Sequence, residues 1–79
     1  IYPNPVKTNL NLAFSTDGIG PVRFLITDLS GRVVWRKEED LGYTGAFIRS
    51  FDMQSLRPGT YILTIRNGAR QSSRKFIRQ

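Results

Sequence analysis

The stretch from Leu56 to Gly68, Leu-Arg-Pro-Gly-Thr-Tyr-Ile-Leu-Thr-Ile-Arg-Asn-Gly, constrains what this chain can fold into more than any other. Tyr61, Leu63 and Ile65 alternate with Thr60, Ile62, Thr64 and Arg66, a period of two rich in β-branched and aromatic side chains that predicts a strand. Turn residues bracket it. Pro58 holds its φ near the value needed at the second position of a β-turn, and Gly59 is free to take the positive φ that follows in a type II turn. Asn67-Gly68 pairs the two residues that best tolerate positive φ, the requirement of a type I′ hairpin. The segment from Ala69 to Ile77 is therefore expected to return antiparallel beside the strand.

The same period of two recurs upstream. Tyr2-Pro3-Asn4-Pro5-Val6 carries two prolines without an amide to donate, so it reads as extended chain at a sheet edge or over the end of the fold. Asn9 to Phe14 alternates, setting Leu10, Leu12 and Phe14 on one face, and Ser15 to Pro21 is a dense turn cluster. Val22, Phe24 and Ile26 then alternate with Arg23, Leu25 and Thr27. Leu29-Ser30-Gly31 reverses the chain, and Arg32 to Lys37 completes a hairpin. Glu38-Glu39-Asp40 with Gly42, Tyr43, Thr44 and Gly45 reads as the longest loop, Ala46 to Phe51 as a short strand. About seven short strands without helical periodicity predict an all-β fold, a seven-stranded antiparallel Ig-like β-sandwich. A closed barrel of the oligonucleotide-binding type is the rival. With no repeat, linker or low-complexity tract, residues 1–79 read as a single domain.

A chain of 79 residues buries only about 60% of the surface it exposes when unfolded, so its core is thin. Five Phe, three Tyr and one Trp supply buried area in its place. Cysteine and histidine are both absent, which removes thiolate chemistry, the commonest general base and the commonest metal ligand. Asp28 and Asp52 are a conceivable carboxylate pair, yet both sit beside turns, where Asp caps local backbone groups. Glu38-Glu39-Asp40 lacks the alternating spacing of a calcium loop, and no glycine opens a helix to form a phosphate cradle. The chain reads as a non-enzyme with no cofactor and no metal.

Charge is more informative. Twelve Lys and Arg against six Asp and Glu give a net charge of +6, and no acidic residue follows Asp52. Arg57, Arg66, Arg70, Arg74, Lys75 and Arg78 make that end an attractor for anions. Nucleic acid is not the expected partner: single-strand binders expose aromatics on a basic face, whereas Phe14, Phe24, Phe51 and Tyr61 share parity with aliphatic core positions. Trp35 is undecided, because its strand neighbours are charged. No run of residues approaches the roughly 20 apolar residues of a membrane-spanning helix. The opening Ile1-Tyr2-Pro3 lacks an initiator Met and a basic region, so the chain reads as a piece of a longer protein.

Four anchors in order, Tyr2-Pro3-Asn4-Pro5, Leu29-Ser30-Gly31-Arg32-Val33-Val34, Leu56-Arg57-Pro58-Gly59-Thr60-Tyr61-Ile62 and Lys75-Phe76-Ile77, resemble the type IX secretion system C-terminal sorting domain of Bacteroidetes, type A. No single anchor is specific; their order along the chain carries the resemblance. It implies a seven-stranded β-sandwich at the C-terminus of a larger exported protein, a non-catalytic address. The implied route crosses the periplasm and ends at the cell surface or outside. The implied partners are the type IX outer-membrane translocon, its β-barrel shuttle protein and a sortase that commonly removes the domain and attaches the cargo to anionic lipopolysaccharide. Family motif residues match at Pro3, Asn4, Pro5, Gly31, Arg32, Val33, Leu56, Gly59, Tyr61 and Lys75. The residues expected to form the partner surface are Gly31, Arg32, Leu56, Gly59, Tyr61, Arg70, Arg74, Lys75, Phe76 and Ile77.

Residue chemistry alone also admits an Ig-like adhesion or carbohydrate-binding module, binding through exposed Tyr43, Phe47 and Trp35. The cargo, its activity and the processing site upstream of residue 1 are not written in these residues.

Overall fold

The computed structural model describes residues 5–16, 20–42 and 44–79. Among them are β1 (Asn9–Thr16), β2 (Gly20–Asp28), β3 (Val33–Leu41), β4 (Gly45–Asp52), β5 (Gly59–Asn67) and β6 (Arg70–Arg78). β1 pairs with β4 in a two-stranded sheet, and the larger sheet has the order β3-β2-β5-β6, all antiparallel. The two sheets are separate, which rules out the closed barrel.

The structure bears on three expectations. Six of the seven expected strands lie among the described residues. Of the opening segment, Tyr2, Pro3 and Asn4 lie outside the described residues, and Val6 makes one parallel bridge to Arg78. There the Val6 amide donates to the Ile77 carbonyl at 2.7 Å, and the Gln79 amide donates to the Val6 carbonyl at 2.8 Å. Second, Glu38-Glu39-Asp40 is strand. β3 runs on to Leu41 because Gly20 to Arg23 pair with it, and Arg23 and Arg49 neutralise Glu38 and Glu39. The turn cluster shrinks to match, with Ser15 and Thr16 in β1 and Gly20 and Pro21 in β2; Asp17, Gly18 and Ile19 lie outside the described residues. Pro21 is tolerated because the β5 pairing starts only at Val22, so its missing amide deprives no second neighbour.

The third correction concerns both turns around β5. Gly59 has no positive φ; it is the first residue of β5, opposite Arg78. The type II turn is therefore absent. At the other end Asn67 pairs with Arg70, so the two loop residues are Gly68 and Ala69. Only Gly68, at +63°, has positive φ. Positive φ at the first loop position alone defines a type II′ turn, not type I′. Gly68→Val is expected to lower the unfolding free energy by about 1 to 3 kcal/mol through backbone strain. Gly59→Ala is expected to leave it unchanged or raise it by up to about 1 kcal/mol. The nearest atoms to a Cβ at Gly59 are those of the Tyr61 phenol, at 3.8 Å, an ordinary van der Waals contact. Urea midpoints measure both, and equal midpoints would contradict the turn assignment.

The alternation of apolar residues becomes a core between the sheets. Leu10 and Leu12 of β1 and Phe47 and Phe51 of β4 face Val22, Phe24 and Ile26 of β2, Leu63 of β5 and Phe76 of β6. Phe24 is the centre of an aromatic cluster, with ring centroids 5.5 Å from Phe14 and 5.1 Å from Phe51. Trp35 is half-buried against Phe51 at 5.0 Å. Its charged neighbours have a physical reason. The register places Trp35, Lys37 and Glu39 opposite Ile26, Phe24 and Val22, on the core side of an edge strand. Lys37 reaches over the Phe51 ring with its ammonium 5.8 Å from the centroid, and Glu39 meets Arg49 of β4. A bulge at Val34 resets this register, since Ile26 pairs with Trp35 but Thr27 with Val33.

Candidate functional site

β6 alternates as any strand does, and the register with β5 assigns its faces. Tyr61 pairs with Phe76, both buried, so Phe76, Arg74, Ser72 and Arg70 share the core-side face, while Lys75, Ser73 and Gln71 share the outer face. On the inner face Phe76 is buried and Arg78 half-buried, whereas Arg70, Ser72 and Arg74 are exposed. The cause is a mismatch of sheets, two strands facing four among the described residues. β1 and β4 pack on Phe24 of β2 and Trp35 of β3, and Arg70, Ser72 and Arg74 of β6 stay exposed.

The expected partner residues divide accordingly. Gly31 and Arg32 close the β2–β3 hairpin. The Asp28 carboxylate accepts the Ser30 hydroxyl at 2.6 Å and the Ser30 and Arg32 amides at 3.0 Å, and it pairs with the Arg32 guanidinium at 3.2 Å. Gly31, with φ of +90°, makes the reversal possible. The Ser30 hydroxyl bond, the amide bonds and the Arg32 charge hold the Asp28 carboxyl below its ordinary pKa, against partial burial. Leu56, Tyr61 and Phe76 belong to the core. The Tyr61 hydroxyl donates to the Arg57 carbonyl at 2.6 Å and ties down the loop before β5. Asp52 likewise caps a turn, accepting the Gln54 amide at 2.9 Å. Gly59, Arg70, Arg74 and Lys75 are exposed, and Ile77 is 48% exposed. Arg78 is half-buried, its Nε donating to the Met53 carbonyl at 2.9 Å.

On the outer face of the larger sheet the register sets Arg23 directly opposite Arg66. Like charges in that position repel, and Glu38, bonded to Arg23 at 2.9 Å, offsets one of them. Lys75 stands farther along this face, beyond Ser73, whose hydroxyl lies 3.1 Å from that of Thr64.

Opposite sides of the sandwich differ. On one, Arg49 of β4 grips the Glu39 carboxylate, with Nε 2.9 and 2.8 Å from its two oxygens and Nη2 bonded to one of them. These bonds and the Arg49 charge lower the Glu39 pKa, again against burial. Glu39 therefore binds fewer protons folded than unfolded, and its contribution is present above the ordinary value of 4.5 and lost as pH falls through the depressed folded pKa. Stability is expected to drop more steeply below pH 4.5 in the parent than in Glu39→Gln, as measured by thermal midpoints across pH.

The other side is open. Between β1 and the β5–β6 turn lies a cleft of about 470 Å³, lined by Phe14 and Thr16 on one wall and Ile65, Asn67, Arg70 and Ser72 on the other. Thr16 is 9% exposed, and its Oγ1 has no hydrogen-bond partner among the described residues. Sequence reading missed this cleft. Its trace was the inward series Arg70, Ser72, Arg74, Phe76, apolar only at its last position.

Phe47, an expected glycan contact of the rival adhesion module, is 3% exposed and stacked on Phe14, which corrects that assignment. Trp35 is half-buried, and Tyr43 lies outside the described residues. No curated protein matches the chain. The family model for the secretion system C-terminal sorting domain matches residues 1–79. A six-strand sandwich with an acid-free, basic terminal hairpin thus belongs to the family of secretion system C-terminal sorting domains.

Proposed function

We propose that the terminal hairpin, Thr60 to Gln79, forms much of the surface by which the type IX outer-membrane translocon reads this domain. Family membership makes the chain a type IX secretion sorting signal, not a catalyst, one that directs cargo to the cell surface or beyond. The observation that carries the hairpin assignment is the exposure of Arg70, Arg74 and Lys75 on two faces of one acid-free strand. A buried strand carries no such series, because an unpaired buried cation is costly. Exposed cations speed encounter and set register against an acidic partner. Leu56, Tyr61 and Phe76 act through the fold that presents them.

Passage through the periplasm, docking on the β-barrel shuttle protein, removal by a sortase and attachment of the cargo to anionic lipopolysaccharide complete the proposed route. The parallel Val6 bridge and the Tyr61-to-Arg57 hydrogen bond support an Ig-like sandwich with a seventh strand at Val6. Such a tyrosine, bonded back to the backbone at the start of a strand, recurs in those sandwiches.

The test fuses the chain to a periplasmic reporter in a host with a working type IX system. Truncation after Asn67 is a poor variant, because it removes Phe76 and the Val6 bridge and is expected to unfold the domain. Charge reversal at Arg74→Glu and Lys75→Glu leaves the core intact. Surface display is expected to fall at least about tenfold, with circular dichroism unchanged, if the charges carry more than about 1.4 kcal/mol of recognition. Normal display of the doubly reversed fusion would sink the hairpin assignment.

A further inference from the structure

We infer that the open cleft between β1 and β6 is a docking site for an extended acidic segment of a partner protein, which adds as a third strand to the free edge of β1. The inference deepens the sorting-signal reading, on which it rests only for the identity of the partner. Three independent observations converge on the cleft. Among the described residues β1 pairs only with β4, so one edge of its eight residues presents backbone donors and acceptors without a neighbouring strand. Such an edge accepts an extended peptide through main-chain hydrogen bonds.

The second observation is Thr16. Its Oγ1 is buried at the cleft and lacks a partner among the described residues, although buried polar groups are nearly always paired. A backbone amide or carbonyl of an added strand satisfies it. Third, the opposite wall is cationic, with Arg70 in the lining and Arg74 four residues along on the same face, in a segment free of acidic residues. Phe14 and Ile65, half-buried at the cleft, offer apolar contact to alternate side chains of the incoming strand. The occupant is thus extended, with acidic side chains toward β6 and apolar ones between them. A second copy of the chain fits less well, since each carries +6.

The probe is a blocked ten-residue peptide alternating Glu with Val, titrated into the 79-residue chain and followed by amide NMR shifts and fluorescence anisotropy. Shifts are expected to concentrate on residues 9–16 and 70–74. Ser72→Trp fills the cleft and is expected to weaken binding at least tenfold. Ser73→Trp, on the opposite face of the same strand, is expected to leave it within twofold. A peptide with two central prolines keeps every charge but loses backbone donors, and is expected to bind at least tenfold more weakly. Equal binding of the proline peptide, or of Ser72→Trp, would reduce the interaction to diffuse electrostatics and overturn the site. Dimerisation of the chain alone, or NMR contacts from its own residues 1–4 to β1, would assign the cleft another occupant and overturn it too.

The reporter fusion separates this inference from the sorting reading. Export lost in Ser72→Trp but kept in Ser73→Trp supports the cleft. Normal export of Ser72→Trp after peptide binding is abolished overturns the cleft as a recognition site and leaves the sorting signal standing. Peptide captured at the cleft by a chain whose parent fusion is not exported leaves the cleft standing and overturns the sorting reading.

Discussion

Phe76→Ala is expected to lower the unfolding free energy by about 3 to 5 kcal/mol, the range for removing a buried aromatic ring. A domain of this length has a total of about 4 to 12 kcal/mol, so the loss removes between a quarter and all of it. Phe76 is 1% exposed and stacks on Tyr61 with centroids 5.8 Å apart. It is the only residue of β6 buried in the core, and Ile77 and Gln79, on either side of Arg78, make the hydrogen bonds of the Val6 bridge. Without it the terminal strand keeps its ladder to β5 but loses its anchor to the core. Chemical denaturation measures the change. Export of the Phe76→Ala fusion is expected to fail together with stability, whereas the reversal at Arg74 and Lys75 is expected to affect export alone. That contrast distinguishes a residue that builds the signal from residues that are read. A Phe76→Ala domain with parental stability would show that β6 is not anchored through this ring.

Phe24→Ala is expected to have a comparable effect, about 3 to 5 kcal/mol, by a different route. Phe24 is fully buried and touches rings from both strands of the smaller sheet, Phe14 of β1 and Phe51 of β4. The two-stranded sheet has little stability of its own, because a lone hairpin-sized pair is marginal in water. It is held by what it covers. Loss of Phe24 is therefore expected to release β1 and β4 before the larger sheet opens, seen as early loss of amide protection in residues 9–16 and 45–52 during hydrogen exchange. Uniform loss of protection across all six strands would show that the two sheets unfold as one unit.

Val22, Phe24 and Ile26, or Leu10, Leu12 and Phe14, declare a strand and its buried face because side chains alternate across a strand regardless of context. The β2–β3 reversal was equally plain, since Asp28, Ser30 and Gly31 form their turn from local hydrogen bonds. Turn type at the last hairpin was not. Asn67-Gly68 and Gly68-Ala69 are both acceptable turns, and only pairing along nine residues of β5 and β6 selects the second.

Glu38, Glu39 and Asp40 looked like loop because three adjacent acids repel, and strand pairing with β2 and the reach of Arg49 lie far away in sequence. Trp35 was ambiguous for the same reason: Lys37 and Glu39 share its face, but an edge strand lets their charged ends leave the core.

The sequence by itself determined the alternation that runs through each strand, the burial of Phe24, Phe51 and Tyr61 and the basic, acid-free terminal segment, all of which follow from local pattern and composition. Only the tertiary structure decided that two strands cover four. From that inequality come the exposed inward face of Arg70, Ser72 and Arg74 and, among the described residues, the Thr16 hydroxyl without a partner and the β1 edge without a neighbouring strand. Sheet width and overlap depend on contacts between residues distant in sequence, and no period of two along a single strand encodes them.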